Sequence, residues 1–510
     1  MKRVLLGASH SIIEPLGLLH LGTVAKQEGW EIKYVLVRDN DFSAVDRAVA
    51  DFKPDIFGYT LYSGNHIPAF DYLDAFRKVY PNIQTVLGGP HPTYFPGSCR
   101  EHVDYVIVSE GFDSFRRLLR GKVDPGIVHL SKSEPFTIAE REQFYKDCPD
   151  HLKSPIKSVI TQTGCPFSCA YCFNSSNLDV IAQDLTVKQL KEMASVVGGS
   201  KKLFPAQIRT VDDVIEEIHT IKNISPETQM IYFQDDVFVR ADTAWIKEFK
   251  KKFYGMGMNF HIQVRFEYVN PESSIIREKI DLLREAGCNG MTMAIESGNA
   301  TMRKEVLNRP MKEELMFKTF EYLSKMDYRV RTEQMLGLPC GATSKKTPIN
   351  LESDIQTLAL NVRLKQSTGL PTTAWASIFT PYSGTELGKY CKKYGFYRGD
   401  NADVPTTFFE RSILNFPRHH MGDGLQRTDP NNDAFWLGPH ELMSYKNDMQ
   451  FLRDYFDYFA MIKDGDELFR KVLAEKNVTW SMTPEVQDFQ FAVSRIRRRH
   501  VYNHILYDTE

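Results

Sequence analysis

The chain has 510 residues and 42% hydrophobic content, enough for two to four domains at roughly 150 residues each, which excludes a single small module. Lys and Arg number 63 against 65 Asp and Glu, a formal charge of −2, so no global basic field draws it to nucleic acid or an anionic membrane. Eight cysteines in this length are too sparse for a secreted disulfide scaffold. The N-terminus MKRVLLGASH lacks the apolar core and cleavage site of a signal peptide, and no apolar run has the length of a membrane span. These features point to a reducing cytosol.

From Arg3 to about Gly121, short apolar runs (RVLL, EIKYVLV, DIFGYTL, QTVLGG, DYVIVS) alternate with amphipathic stretches at Pro15–Gly29, Phe42–Phe52 and Ile67–Val79. That rhythm predicts a doubly wound parallel α/β domain over residues 1–125. Ligands bind such sheets beyond the carboxyl ends of the strands, here Ser9–His10, Thr60–Ser63, Gly88–Thr93 and Ser109–Gly111. Residues 126–155 carry charge, proline and little periodicity and read as a linker. A second series follows in 156–390, with strands at IKSVITQ, MIYFQ, FHIQVRF, GMTMAI, YRVRTEQMLG and TAWASIF. Six strand-plus-helix units predict a partial (βα)6 barrel with its chemistry at the carboxyl ends of the strands. Residues 391–510 read as a mostly α region.

Three of the eight cysteines, Cys165, Cys169 and Cys172, fall in TQTGCPFSCAYCFN, directly after the first strand of the second series. Three thiolates on one loop hold three irons of a 4Fe–4S cluster and leave the fourth iron open to a substrate. Structural zinc requires four closed ligands, and Cys148, His151 or Cys340 would have to supply the fourth. The other cysteines are scattered and read as buried small hydrophobes.

The C-x3-C-x2-C loop, with Tyr171 before its third cysteine and a (βα)6 series behind it, resembles the radical S-adenosylmethionine superfamily. The resemblance covers about residues 150–390. It implies that the open iron chelates S-adenosylmethionine and that one electron, from a donor such as flavodoxin or ferredoxin, releases a 5′-deoxyadenosyl radical. It also implies that Gln234, Asp235 and Asp236 in IYFQDDVF contact the S-adenosylmethionine amino group. Arg265 in QVRFE, Glu296, Ser297 and Gly298 in AIESGNATMRKEVLNR, and Glu333 before MLGLPCG complete the cofactor set. Singly, each has a bland reading as a helix cap or structural ion pair.

An α/β domain ahead of such a barrel is the arrangement of the cobalamin-binding branch of this superfamily, matched here by PLGLLHLG, VLGGPHPTYFP and VIVSEG. The resemblance places cobalamin over the carboxyl edge of the sheet, where Gly88 and Gly89 allow close approach and Thr60, Ser63, His91 and Glu110 hydrogen-bond its tail or amides. The methionine-synthase type carries D-x-H-x-x-G after its first strand. Here Ala8-Ser9-His10-Ser11-Ile12-Ile13 keeps the His without its Asp orienter, which implies binding without a cobalt-ligating His. A dinucleotide is disfavoured because LLGASHSI lacks G-x-G-x-x-G.

With both cofactors, the resemblance implies a cobalamin-dependent methyltransferase acting on an unactivated carbon or other poor nucleophile of a small-molecule or natural-product substrate, with residues beyond about 390 covering it. The alternatives are a radical cyclase or rearrangase of the anaerobic porphyrin-ring type, and a non-catalytic cobalamin or cluster sensor. Transfer-RNA modification would need a basic face, which the charge balance does not supply. The run Arg495–His500 reads as a solvated cationic helix end, His419 and His420 as loop residues without a third ligand, and FLRDYFDYFAM as core.

Overall fold

The computed structural model describes residues 1–197, 202–340, 349, 351–407, 409–420 and 435–476. The expected run Arg495–His500 lies outside them. The chain forms two compact units, one of residues 1–167, 173–236 and 255–258, the other of residues 168–172, 237–254 and the described residues from 259 on.

In the first unit, strands β1 (Arg3–Ser9), β2 (Glu31–Val37), β3 (Ile56–Thr60), β4 (Gln84–Gly88), β5 (Tyr105–Ile107) and β6 (Gly126–Val128) form a parallel sheet in the order β2-β1-β3-β4-β5-β6. Both faces are covered, as parallel sheets require. Val35, Phe57 and Leu87 enter one core cluster, whereas Leu6, Ile32, Val86 and Ile107 enter the other. The strand order reverses between β1 and β3, the switch point where a crevice opens beyond the carboxyl ends. The stretch read as a linker contributes β6 and two helices, Glu142–Asp147 and Pro149–Lys153. Its buried Arg141 pairs with Glu14 at 2.9 Å and Glu217 at 2.6 Å, and Glu217 pairs with Arg209 at 2.7 Å. Buried ion pairs need additional hydrogen bonds to offset the desolvation of both charges. Here Glu14 also accepts from the Ser158 N–H at 2.7 Å and the Tyr145 hydroxyl at 2.6 Å.

The second series gives β7 (Ile156–Val159), a two-stranded ribbon of β8 (Gln162–Thr163) and β9 (Gln207–Ile208), then β10 (Met230–Phe233), β11 (Asn259–Val264), β12 (Cys288–Glu296), β13 (Arg329–Leu336) and β14 (Thr373–Ile378). All but the ribbon belong to one sheet, in the order β14-β13-β12-β11-β10-β7. This is the six-stranded partial barrel that the periodicity predicts. In the second unit, β13 alternates throughout and β14 from Ala374 on: Val330, Thr332, Leu336, Ala374, Ala376 and Ile378 are buried, and Arg331, Glu333, Trp375 and Ser377 are half-buried on the opposite face. The long helix Pro439–Met461 packs Met449, Leu452, Phe456 and Phe459 into the same core as Ala374 and Ile378. The aromatic stretch is therefore core, as read.

Candidate functional site

At the switch point of the first sheet lies a cavity of about 410 Å³. Leu6, Leu16, Leu18, Ile107, Phe112 and Phe136 give it largely apolar walls, and Thr60, Gly88, Gly89, Ser109 and Glu110 line its edge. Gly89 has φ +97°, and a Cβ there would stand 2.9 Å from Thr60 Cγ2, so only glycine brings the backbone this close. Ser109, a non-glycine at φ +67°, is the kind of strained residue held where a site needs it.

Four of the six expected edge residues, Thr60, Gly88, Gly89 and Glu110, reach this cavity. Ser63 and His91 do not line it. Ser63 Oγ bonds His91 Nδ1 at 2.9 Å, and the His91 ring stacks on His66 at 4.3 Å; burial first, and the neighbouring His66 second, push it down to about 3. His91 Nδ1 is thus taken by Ser63, while its Nε2 is buried without a partner inside an aromatic cluster with His66, Phe70 and Phe95. His10 also stays off the cavity, its ring 5.8 Å from His151. His20 of PLGLLHLG, not singled out in the sequence, does line it. Its Nδ1–H donates to Thr137 O at 2.7 Å, Nε2 is buried without a partner, and burial pushes the ring down to about 4.

Glu110 Oε2 accepts from Gln207 Nε2 at 2.6 Å, while Oε1 is buried with no hydrogen-bond partner. Burial pushes this carboxyl up to about 8. An apolar cavity at a glycine-built sheet edge, with orphaned polar atoms on its walls, fits a large, mostly neutral organic cofactor with a few hydrogen-bonding groups. Cobalamin fits that description.

The cysteine loop is secured within each unit. In the first, Lys202 Nζ donates to the carbonyls of Cys165 and Phe167, the latter at 3.1 Å. In the second, Cys169 is buried and its Sγ receives Arg265 Nη1 at 3.1 Å, with Arg309 Nη1 at 3.9 Å. Cys172 donates its N–H to Cys169 O at 3.1 Å. Cationic donors on a cysteine sulfur would complement the charge that it would carry as an iron ligand. Among the described residues, no group of three or more His, Cys, Asp and Glu side chains, the three loop cysteines included, converges closely enough to hold one single metal ion. The three-cysteine donor set fits a cluster with one open iron.

Around Cys169 the charges interlock. Arg265 makes a two-point pair with Glu267, at 2.5 and 3.2 Å. Tyr171 donates to Glu296 Oε1 at 2.5 Å, and Arg309 reaches Glu296 at 3.9 Å and Ala294 O at 2.8 Å. Glu296 sits at φ +66° beside a register shift in β12, and its burial raises its pKa. Arg309 carries this network, yet the sequence signalled it only as the last residue of AIESGNATMRKEVLNR.

The remaining expected contacts divide by role. Ser297 is buried with its carbonyl on Arg303 Nη1 at 2.6 Å, and Gly298 is glycine because a Cβ would meet Gln356 O at 2.1 Å. Glu333 pairs with Arg331. Gln234 is half-buried and lines the cavity of the first unit. Asp235 departs from expectation. It is fully buried, with both oxygens taken by Thr161 and Gln162, and burial pushes it up to about 6.

Two family models match the chain, the B12 binding domain over residues 2–119 and the radical SAM superfamily over 159–340. Among curated proteins, an uncharacterized methyltransferase PH0819 of Pyrococcus horikoshii is 27% identical over 36% of this chain and 45% of its own length, so the chain spans less than half of that relative. A cytidylyl-2-hydroxyethylphosphonate methyltransferase of Streptomyces wedmorensis is 20% identical over 79% of this chain and 82% of its own. Two solved structures share the fold. The cobalamin-dependent S-adenosylmethionine radical enzyme OxsB with aqua-cobalamin bound has TM-score 0.59 and 12% identity, over 97% of this chain and 75% of that one. The radical S-adenosylmethionine methyltransferase TsrM of Kitasatospora setae, with tryptophan substrate and a S-adenosylmethionine analogue bound, has TM-score 0.56 and 14% identity over 77% of each. The radical S-adenosylmethionine domain implies a 4Fe–4S cluster and S-adenosylmethionine, and the B12-binding domain implies cobalamin. With the glycine-edged cavity in one domain and the three-cysteine loop opening the other, the chain belongs to the radical S-adenosylmethionine enzymes that carry a cobalamin-binding domain.

Proposed function

We propose that the protein is a cobalamin-dependent methyltransferase acting on an unactivated carbon or another poor nucleophile of a small molecule. The observation that carries this reading is that one chain holds both an apolar, glycine-edged cavity on its B12-binding domain and a three-cysteine loop whose Cys169 is flanked by Arg265 and Arg309. When bound, the cluster and S-adenosylmethionine supply a carbon radical and cobalamin supplies a transferable methyl group. The chain's own residues hold and orient. Cys165, Cys169 and Cys172 would ligate iron. Gln234, Arg265, Glu296, Ser297 and Gly298 stand at or just past strand ends and Glu333 within β13, and there they would bind S-adenosylmethionine through charge and backbone. Thr60, Gly88, Gly89 and Glu110 would hold cobalamin, without a ligating His10.

For the substrate, the half-buried face of β13 and β14 offers a flat aromatic shelf flanked by two guanidinium planes, Arg331 paired with Glu333 and Arg453 with Asp454. Arg331 lies over the Trp375 ring at 5.1 Å, Phe409 meets Trp375 edge-on at 5.6 Å, and Arg453 lies over Phe409 at 4.1 Å. Aromatic and guanidinium planes together suit a small molecule with a planar part and an acidic part. A nucleotide-linked phosphonate, of the kind named for the Streptomyces relative, has both.

The test is anaerobic reconstitution of the full chain with iron, sulfide and hydroxocobalamin. Co-elution of corrin absorption bands with about four irons per chain supports the reading. Iron without corrin bands would favour a cyclase or rearrangase. Corrin without iron would favour a sensor.

A further inference from the structure

Of the acidic pair just past β10, Asp235 is turned inward, toward the start of the cysteine loop. Asp235 has no exposed surface. Its Oδ1 accepts from the backbone N–H of Thr161 at 2.6 Å and of Gln162 at 3.3 Å, and its Oδ2 takes the Thr161 hydroxyl. Thr161 and Gln162 begin TQTGCPFSC, so the carboxylate grips the chain three and four residues before Cys165. Arg209 grips the same stretch, through its N–H to Thr161 O at 2.8 Å and its Nη1 to Ile160 O at 2.8 Å. Downstream, the exposed Asp236 accepts from Asn174 Nδ2 at 2.6 Å, two residues after Cys172. Two consecutive residues just past β10 therefore hold the polypeptide on both sides of the cysteine loop.

We propose that Asp235 is a positioning residue for the cluster-binding loop and not a ligand of S-adenosylmethionine, with Asp236 fastening the far side of the same loop. A buried carboxylate that already accepts from two backbone N–H groups and a hydroxyl has its acceptor sites directed inward. An ammonium ligand must instead present an open oxygen. Loss of the carboxylate leaves two buried N–H groups without their acceptor and frees the start of the loop. Loss of its charge alone does not, because an Asn keeps an acceptor for both N–H groups and presents its amide to the Thr161 oxygen.

This inference rests on the reading that the three cysteines hold a cluster, and the experiment separates the two. Wild type, Asp235→Asn, Asp235→Ala and Cys169→Ala are reconstituted anaerobically as full chains. Iron content, the paramagnetic resonance spectrum of the reduced cluster with and without S-adenosylmethionine, and the S-adenosylmethionine Kd are measured. Asp235→Asn is expected to keep wild-type iron, the same spectral response to S-adenosylmethionine, and a Kd within about twofold of wild type. Asp235→Ala is expected to lose most of its iron. A fully loaded Asp235→Asn protein whose Kd has risen about tenfold or more would make Asp235 an ammonium partner and overturn the proposal. So would an Asp235→Ala protein with full iron. If the Ala variant does not fold, the Asn variant alone decides. Wild type without iron, or Cys169→Ala with full iron, would instead overturn the cluster reading itself.

Discussion

The two candidate binding regions are built on opposite principles. The cavity of the first sheet is walled by Leu, Ile and Phe side chains, and its polar edge depends on backbone geometry at Gly89 and Ser109. The surroundings of Cys169 are dense in charge, with Arg265, Glu267, Glu296 and Arg309 within one connected set of contacts. The first arrangement suits a large cofactor recognised by shape. The second suits a small charged cofactor and a sulfur-ligated metal cluster, where water must be kept away and each charge needs a partner. One chain thus divides recognition between burial and electrostatics, and each region has its own way of failing.

The largest expected effect tests that division. Cys169→Ala should lose the cluster entirely while still binding cobalamin, with iron and corrin read from one sample. Joint loss of both would show that the regions are not independent. Conversely, Gly89→Ala puts a Cβ 2.9 Å from Thr60 Cγ2 at φ +97°, a strain of roughly 1–3 kcal/mol. Its cobalamin Kd should rise about tenfold or more with iron unchanged. Unaltered corrin affinity would place the cofactor elsewhere.

Arg309→Met removes a cation 3.9 Å from Cys169 Sγ. The reduced cluster, which carries the extra negative charge, loses more stabilisation than the oxidised one. Its reduction potential should fall by on the order of 60 mV, the one-electron equivalent of about 1.4 kcal/mol. An unmoved potential in spectroelectrochemical titration would confine Arg309 to the Tyr171–Glu296 pair.

The effect least visible in cofactor binding concerns Glu110, because it is read in stability alone. Burial, with Glu134 and Asp113 as like charges nearby, raises its pKa from 4.5 to about 8. The folded protein therefore holds this proton more tightly than the unfolded chain does. The stability it contributes is whole below about pH 4.5 and is lost as pH rises through about 8, by at most about 1.4 kcal/mol per pH unit. Glu110→Gln should flatten the fall of the unfolding midpoint over that window. Parallel curves for the two proteins would remove Glu110 from the account.

The strands and the cysteine loop were legible in the sequence because periodicity and spacing are local properties. The six strands of the partial barrel fall where IKSVITQ to TAWASIF predicted them. Site roles were less legible, since they depend on where a side chain turns after its strand ends. Ser63 and His91 are spent on each other, Gly298 is fixed by its approach to Gln356, and Asp235 faces backbone N–H groups. None of these choices is recorded in residue type. His20 and Arg309 lay inside stretches that the sequence had already marked, but only tertiary packing shows that one lines the cavity and the other reaches Cys169.

The most direct test of the central claim is the product spectrum of S-adenosylmethionine consumed by the reduced, cobalamin-loaded and cluster-loaded protein, measured by mass spectrometry. A cobalamin-dependent methyltransferase with radical chemistry yields both 5′-deoxyadenosine and S-adenosylhomocysteine. Formation of 5′-deoxyadenosine alone, with corrin bound, would contradict methyl transfer.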